Sequence, residues 1–407
     1  DNTMTLSRRH FLTRSAAIGC SAAASPLLTP VSFAAAPWDT RLVVIILRGG
    51  MDALDMLQPY GDANYAGQRP TLVGGPNNGG LDLDGFYALH RGLAPLMPLW
   101  KRQELGFVHA VSTPYRNRRS HFDGQDLLEA GTAELGRSEG GWLNRMLQQM
   151  GGVETRTAFA IGQGEMKLLH GGVQVSDWSP DAALNLSPQA RLLAEQMMQH
   201  DPLFHSALAE ALDLSENESM TLDQSESDGG MMEMTMPLPT RGKSHLKIAE
   251  FAAERLRAET RVAAFSINGW DTHSNQSNGL GTALGRLSDT ILALRNGVGG
   301  AIWGKTAVLA MTEFGRTARE NGSKGTDHGT GGAMLLAGGA IRGGRVHGRW
   351  PGLEEADLFD RRDLMPTADV RAQAAWIMRG LIGVDQAQLE QFVFPGLDMG
   401  ADPGLLL

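Results

Sequence analysis

Residues 305–339, KTAVLAMTEFGRTARENGSKGTDHGTGGAMLLAGG, contain the pattern that decides the fold. The apolar run over residues 306–311 is typical of a strand buried on both faces, and a second apolar run closes the stretch. Glu313 falls where the first strand ends, and Asp327 and His328 come shortly before the second. Because open α/β sheets bind ligands at the carboxyl ends of their strands, we expect these polar side chains to line a site.

Strands and helices alternate along the rest of the chain. This alternation predicts an α/β protein with a doubly wound, mostly parallel sheet flanked by helices. Weaker strand candidates lie at residues 159–164 and 168–174. The main predicted strands lie at residues 41–47, 105–111 and 261–267, and the main predicted helices at residues 141–150, 244–259, 280–295 and 369–382.

Length and charge narrow the class of protein. A chain of 407 residues can bury a large core, and its net charge of −9 provides no basic field for nucleic acid, which we exclude as the main partner. An acidic body still permits an anionic substrate, because a bound metal can reverse the local field. No transmembrane segment is predicted in the mature chain, since no run is long enough to span a bilayer.

The amino end has the features of an export signal. Residues 7–12, SRRHFL, resemble the twin-arginine motif, a mild apolar run follows at residues 16–28, and small residues stand at positions 34–36. We therefore predict a cleaved signal over residues 1–36, the twin-arginine translocase as a partner during export, and a periplasmic or secreted protein. The mature domain is predicted to span residues 37–407.

The single cysteine of the chain, Cys20, lies inside this signal. Because Gly19 precedes it, a lipid-anchored form is an alternative to ordinary cleavage. Cleavage near Ala36 would leave a mature chain without cysteine, which excludes a cysteine-derived nucleophile.

An insertion is predicted at about residues 185–243. Its first part has a helical pattern, whereas residues 213–240 hold seven acidic residues, five methionines and no lysine or arginine. Such a composition cannot bury enough apolar surface to order itself, so we expect a disordered loop. The methionines at residues 231–236 offer the alternative of a soft copper site.

Several motifs outside the signal resemble one known family. The sequences LRGGMDALDM, SHFDGQD, GWDTHSNQ, MTEFGRTARENGSKGTDHG and GGRVHGRWPGL are similar to the exported domain-of-unknown-function 1501 family, which is placed in the alkaline phosphatase/sulfatase superfamily. The resemblance covers about residues 41–396. It implies an alkaline phosphatase-like fold that holds one or two divalent metal ions, zinc, calcium or magnesium, at the carboxyl edge of the sheet.

The resemblance also implies a set of ligands. Phe314 stands where the superfamily has a further ligand, and the Asp-x-His spacing at residues 271–273 is shorter than in the phosphatases. Asp327 is expected to orient His328 through a hydrogen bond. The implied metal ligands are Asp52, Asp271, His273, Glu313 and His328.

Two adjacent residues are the candidates for catalysis. By the superfamily pattern the nucleophile falls at Ser120 or His121, at the start of a predicted helix, where a hydroxyl can be activated by a metal and by the helix dipole. The alternative for Ser120 is a helix cap, with Asp123 completing a capping-box-like pattern. The candidates for anion binding are Arg116, Arg119 and Arg316, which are equally compatible with solvated loop charges.

Together these features predict a periplasmic, metal-dependent hydrolase of phosphate or sulfate esters that acts on a small anionic ester. The alternative is a non-catalytic exported protein that keeps the superfamily fold for metal binding or assembly. The sequence leaves open whether the protein is an enzyme.

Overall fold

The computed structural model describes residues 38–116, 119–138, 140–162, 166–179 and 243–407. The described residues all belong to one compact unit. The predicted export signal, the methionine cluster and almost all of the predicted insertion lie outside the described residues. Across the part that is described, no helix combines the length and the apolar character needed to cross a membrane.

One large sheet organises the described residues. It contains nine strands in the order β11, β5, β10, β9, β1, β8, β6, β7, with β12 beside β5, and a second sheet has the order β2, β4, β3. The strand bounds are β1 Arg41–Arg48, β2 Leu57–Gln58, β3 Leu81–Asp82, β4 Ala88–Leu89, β5 Leu105–Ser112, β6 Ala158–Ile161, β7 Ser176–Trp178, β8 Val262–Asn268, β9 Thr306–Met311, β10 Gly332–Ala337, β11 Val346–His347 and β12 Ala368–Asp369.

The large sheet is mostly parallel. Strand β1 pairs in parallel with β8 and β9, β6 pairs in parallel with β7 and β8, and β5 pairs in parallel with β11 and β12. Strand β10 is the exception, because it runs antiparallel to both β5 and β9. The predicted fold class is confirmed.

Helices cover both faces of this sheet. The alternation of side chains along β1 sends Val43, Ile45 and Leu47 into one core cluster and Leu42, Val44 and Ile46 into the other, as expected of a doubly covered strand. Helices α6 (Ser244–Arg257) and α7 (Gln276–Val298) contribute to the first cluster, and α5 (Trp142–Gln148) and α9 (Val370–Ile382) to the second. The helix bounds are α1 Ala53–Met56, α2 Tyr65–Gln68, α3 Met97–Lys101, α4 His121–Ala130, α5 Trp142–Gln148, α6 Ser244–Arg257, α7 Gln276–Val298, α8 Gly300–Trp303, α9 Val370–Ile382 and α10 Gln386–Gln388.

Two segments show how the sequence predictions compare with the structure. The predicted strand at residues 306–311 is confirmed with the same bounds, as β9. The predicted strand at residues 168–174 is wrong, because Lys167–Leu169 forms a short 3-10 turn and β7 begins only at Ser176. Leu168 and Leu169 make this run apolar, and the structure buries both side chains from the 3-10 turn and not from a strand.

The antiparallel direction of β10 positions the candidate site. His328 precedes β10, so in a parallel strand it would lie at the opposite edge of the sheet from Glu313, which follows β9. Because β10 runs against β9, its beginning lies beside the carboxyl end of β9. The loops that follow β5, β8 and β9 and the loop that precedes β10 therefore meet at one edge.

Gly315 is required where these loops pass each other. A Cβ atom at this position would lie 1.8 Å from the carbonyl oxygen of Gly331, which is backbone and cannot move aside as a side chain can. We expect Gly315→Ala to lower the free energy of unfolding by about 1–3 kcal/mol or more through overpacking. The matched control is Gly285→Ala in α7, where a Cβ meets nothing within 4 Å. That variant should raise the free energy of unfolding by roughly 0.5–1 kcal/mol.

Urea denaturation of both variants checks this pair. Equal stability of the two variants would contradict the assignment of a close backbone approach at Gly315.

Candidate metal centre

Three chain segments bring polar side chains together at the carboxyl edge. The loop after β8 carries Asp271 and His273, the first residue of α4 is His121, and the loop before β10 carries His328. Ligand atoms of His121, Asp271 and His328 all lie within 4.8 Å of one another. The group is open to solvent on one side, since the Asp271 side chain is 47% exposed.

The three histidines converge on a single oxygen. Asp271 Oδ1 lies 3.5 Å from His121 Nε2, 3.0 Å from His273 Nε2 and 3.3 Å from His328 Nε2. The Nε2 atoms of His273 and His328 are themselves 3.0 Å apart. We call these four residues the His₃Asp cluster.

Each histidine is oriented by an acceptor behind it. Carboxylate and carbonyl oxygens only accept hydrogen bonds, so each Nδ1 donates to the oxygen behind it, and the Nε2 of each ring faces Asp271. His121 Nε2 is buried and, among the described residues, has no hydrogen-bond partner. The acceptors of Nδ1 are Glu313 Oε1 for His121 at 2.8 Å, Asp327 Oδ1 for His273 at 3.3 Å, and the Arg119 carbonyl oxygen for His328 at 2.9 Å.

This donor set fits a divalent transition metal. Zinc bonds imidazole nitrogen at about 2.0–2.1 Å in a tetrahedral shell, which sets neighbouring donors about 3.3 Å apart. The separations from Asp271 Oδ1 to the three rings span 3.0 to 3.5 Å. Calcium and magnesium prefer shells of oxygen, so three imidazoles and one carboxylate favour zinc or a similar ion. His121, Asp271 and His328, whose ligand atoms all lie within 4.8 Å of one another, would hold it, and His273 Nε2 lies beside Asp271 and His328 as a further donor.

Glu313 lies behind the cluster, although the sequence predicted it as a metal ligand. It is fully buried, and its Oε1 accepts hydrogen bonds from His121 Nδ1, from the backbone N–H of Gly49 at 2.9 Å and from Gln125 at 3.1 Å. Burial opposes its ionisation, but these hydrogen bonds outweigh burial and lower the pKa of Glu313. In return, the hydrogen bond to Glu313 raises the pKa of His121.

Glu313→Gln should weaken metal binding without removing a metal ligand. Outer partners of metal-bound histidines contribute about 10–100-fold in affinity, because they fix the ring and raise its basicity. Competition with a chromogenic chelator measures the change. Glu134→Gln, which alters an exposed glutamate that pairs with Arg137, is the control and should bind metal as the unaltered protein does. Unchanged affinity in Glu313→Gln would contradict an orienting role.

Arg316 supplies a buried positive charge to Asp271. Its Nη2 lies 2.6 Å from Asp271 Oδ1, and the side chain is fully buried. Burial opposes the ionisation of Asp271, but the hydrogen bond and charge of Arg316 prevail and lower the pKa of that carboxyl. From the sequence, Arg316 was a candidate for binding a substrate anion, with a solvated loop charge as the alternative. The structure places it beneath the cluster, where its other donors meet backbone carbonyls of Gly49, Gly50, Trp270 and Thr326.

Asp52 lies outside the His₃Asp cluster, although it was predicted as a metal ligand. Its carboxylate forms a two-pronged pair with Arg69, at 2.6 and 3.1 Å, and accepts from Gln276 at 2.6 Å. Its Oδ1 also caps α1 by accepting from the backbone N–H of Leu54. Both partners of the pair are buried, and Arg69 also donates to the carbonyl oxygens of residues 317 and 318. No pattern in the sequence of this loop predicted that Arg69 would be buried against Asp52.

Ser120 is the N-cap of α4. Its Oγ accepts from the backbone N–H of Asp123 at 3.4 Å, and its own N–H donates to Tyr115 Oη at 2.8 Å. This arrangement matches the capping alternative. His121 was predicted as a catalytic residue, and the structure places it among the candidate ligands.

The other predicted polar residues have defined positions. Arg116 donates to the carbonyl oxygens of Thr113 and Tyr115, and burial lowers its pKa. Arg119 is exposed and has a left-handed backbone, with φ of 54°, and its carbonyl oxygen faces His328. The prediction that Asp327 orients His328 is wrong, because the Asp327 carboxylate is paired with His273.

Phe314 packs beneath two of the histidines. Its ring is stacked on His121 with centroids 5.0 Å apart and lies 4.9 Å from the ring of His328. Gly124 permits this approach, because a Cβ there would lie 3.0 Å from the Phe314 ring. The residue that departs from the superfamily pattern therefore holds two imidazoles in place through contact.

The fold and the cluster define an α/β protein with a candidate metal centre at the carboxyl edge of a mostly parallel sheet. The family described as "Protein of unknown function (DUF1501)" matches residues 94–374. The chain belongs to this family, so the prediction from the sequence motifs is confirmed. No curated protein sequence matches the chain significantly.

Solved structures with a similar arrangement come from the alkaline phosphatase superfamily. A superfamily protein from Vibrio parahaemolyticus has 12% identity and a TM-score of 0.38, with 90% of this chain and 72% of that chain covered. The PsFucS1 sulfatase from Pseudoalteromonas has 12% identity and a TM-score of 0.37, with 90% and 73% covered. The periplasmic domain of EcEptC from Escherichia coli, in complex with zinc, has 10% identity and a TM-score of 0.34, with 74% and 73% covered.

Proposed function

We propose that this protein is an exported, metal-dependent hydrolase of phosphate or sulfate esters. The convergence of three histidine Nε2 atoms on Asp271 Oδ1 carries the proposal. Further support comes from the strand-end motifs at residues 269–276 and 311–329, which resemble those of the phosphatase/sulfatase superfamily. Export through the twin-arginine translocase is proposed from the motif at residues 7–12.

The residues around the cluster would each have a defined task. A divalent metal, when bound, supplies Lewis-acid polarisation of an ester oxygen. Glu313 and Asp327 hold the proton on Nδ1 of their histidines, which keeps Nε2 available. Arg316 keeps Asp271 ionised, and Phe314 fixes the two rings it touches. The exposed side of Asp271 and His273 leaves access for a small ester.

The alternative is a non-catalytic exported metal-binding protein. Two observations favour it: the Ser120 hydroxyl is engaged in a helix cap, and the buried Arg316 cannot reach a substrate anion. This alternative predicts the same metal content and no turnover.

Metal analysis paired with an activity assay tests the proposal. The purified mature protein should contain a divalent metal and hydrolyse an aryl phosphate or an aryl sulfate. Chelation should abolish turnover, and adding zinc back should restore it. His347→Ala serves as the control, since His347 makes its hydrogen bond to the Arg342 carbonyl oxygen and not to the cluster. Protein that binds no divalent metal would contradict the proposal, and metal-loaded protein without turnover would favour the alternative.

A further inference from the structure

A polar cavity of about 380 Å³ lies next to the His₃Asp cluster. Asp327 lines this cavity, and its carboxylate lies 3.3 Å from His273 Nδ1. Since His273 Nε2 faces Asp271, a single imidazole ring separates the cavity wall from the convergent ligand atoms. A molecule bound in the cavity would therefore be a neighbour of the candidate metal centre.

The carboxylates of the cavity wall already have partners. Both oxygens of Glu320 accept from backbone N–H groups at residues 71 and 72. Asp327 accepts from Asn321 at 3.1 Å as well as from His273. Glu355 pairs with Arg361 at 3.4 Å. Each carboxylate of the wall therefore already has at least one protein donor.

The arginines of the wall, by contrast, have donors to spare. Each guanidinium carries five N–H donors. Among the residues that the structure describes, Arg319 uses only Nε, toward Gln68, and Arg362 uses only Nη1, toward the His328 carbonyl oxygen and Asp363. Within the described residues, Nη1 and Nη2 of Arg319 and Nη2 of Arg361 and Arg362 make no hydrogen bond.

The arginines of the wall have N–H donors that are not in use, whereas its carboxylates already accept hydrogen bonds. This wall therefore favours a ligand group that only accepts hydrogen bonds. Carboxylates and sulfate or phosphate oxyanions have that property and suit the fork of an arginine. We propose that the cavity binds a second, non-reacting oxyanion of the substrate through Arg319, Arg361 and Arg362. This inference rests on the proposed function and extends it: the substrate class becomes an ester that also carries another anionic group.

The three arginines and three carboxylates of the wall balance in formal charge, so recognition depends on directed donors. A neutral ligand of the same shape should therefore bind more weakly than the anion. D-Glucuronate and D-glucuronamide form such a pair, because the amide replaces one carboxylate oxygen with a donor and removes the charge.

Ligand titration followed by NMR tests the inference without turnover. Glucuronate should bind the intact chain, with metal and after chelation, about tenfold or more tighter than glucuronamide. Arg319→Gln and, independently, the exposed Arg361→Gln should each weaken glucuronate roughly tenfold, with metal content unchanged. Arg349→Gln, an exposed arginine outside the cavity wall, is the control and should bind glucuronate normally.

Equal binding of the two ligands, no binding of glucuronate, or unchanged affinity in both variants would overturn the inference. Failure of the proposed function has a different signature, namely loss of ester hydrolysis while glucuronate binding and its dependence on Arg319 persist.

Discussion

Arg69→Met should lower the free energy of unfolding by about 3–5 kcal/mol, the cost of leaving one buried charge without its partner. Arg69 and Asp52 are 0% and 1% exposed and are joined by two hydrogen bonds. The same guanidinium donates to the carbonyl oxygens of Thr317 and Ala318, which would also lose a donor. Urea denaturation at pH 7 measures the loss, and Arg137→Met, in an exposed pair with Glu134, should cost at most about 1 kcal/mol.

The double variant Arg69→Met with Asp52→Asn identifies the cause. Removing the stranded charge should recover part of the stability lost in Arg69→Met. If the double variant is less stable than Arg69→Met by the full cost of Asp52→Asn alone, the two residues are uncoupled and the interpretation fails.

The Arg69–Asp52 pair also makes the free energy of unfolding depend on pH. Burial opposes the ionisation of Asp52, but Arg69 outweighs it, and the pKa of Asp52 is lowered. A carboxyl with a lowered pKa in the folded state stabilises the protein above its unfolded pKa of about 3.9 and loses that contribution as the pH falls through the folded value. The unaltered protein should therefore keep the contribution of this pair from pH 5 to pH 8 and lose it only in stronger acid. In Arg69→Met the buried carboxyl lacks the partner that lowers its pKa, so the stability difference between the two proteins should grow as the pH rises above about 3.9.

His121→Ala should abolish stoichiometric metal binding. His121 supplies a buried Nε2 without a partner among the described residues, and its loss leaves fewer donors around Asp271. The loss in affinity should exceed the roughly 10–100-fold effect of residues that lie behind a ligand. Metal content after gel filtration, by mass spectrometry, gives the result.

Ser120→Ala is the matched control, one residue away. It should lower the free energy of unfolding by about 0.5–2 kcal/mol through loss of the α4 cap and should retain the metal. If instead the metal is retained in His121→Ala, the cluster is a hydrogen-bonded histidine network and not a metal site. Loss of all turnover in a folded, metal-loaded Ser120→Ala variant would reinstate Ser120 as the nucleophile.

The architecture was predictable because it is encoded locally. The buried strand β9 is a run of apolar residues, and α9 ends at Gly383, which adopts a left-handed backbone with φ of 89° as a helix-terminating glycine does. The candidate site was predictable only as a set of residues near strand ends. The roles within the set depend on distances across the sheet edge.

Glu313 and Asp52 show why those roles could not be derived from the sequence. Both carboxylates follow strands, as Asp271 does, yet one supports a histidine and the other pairs with an arginine. Arg69 lies in a loop-rich segment without periodicity, so no pattern indicated that it would be buried against Asp52. The role of Phe314 could not be derived from the sequence either. Its position in the motif indicated a missing ligand, whereas the structure shows its ring stacked on His121.

Arg316 has a consequence for motion at this edge of the sheet. One guanidinium ties together the backbone of the loops after β1, β8 and β9, through Gly49, Gly50, Trp270 and Thr326. These loops cannot open one at a time without breaking a buried charge-assisted hydrogen bond. Amide protons in the three loops should therefore exchange with solvent together, as one cooperative unit, and not with the separate rates usual for surface loops.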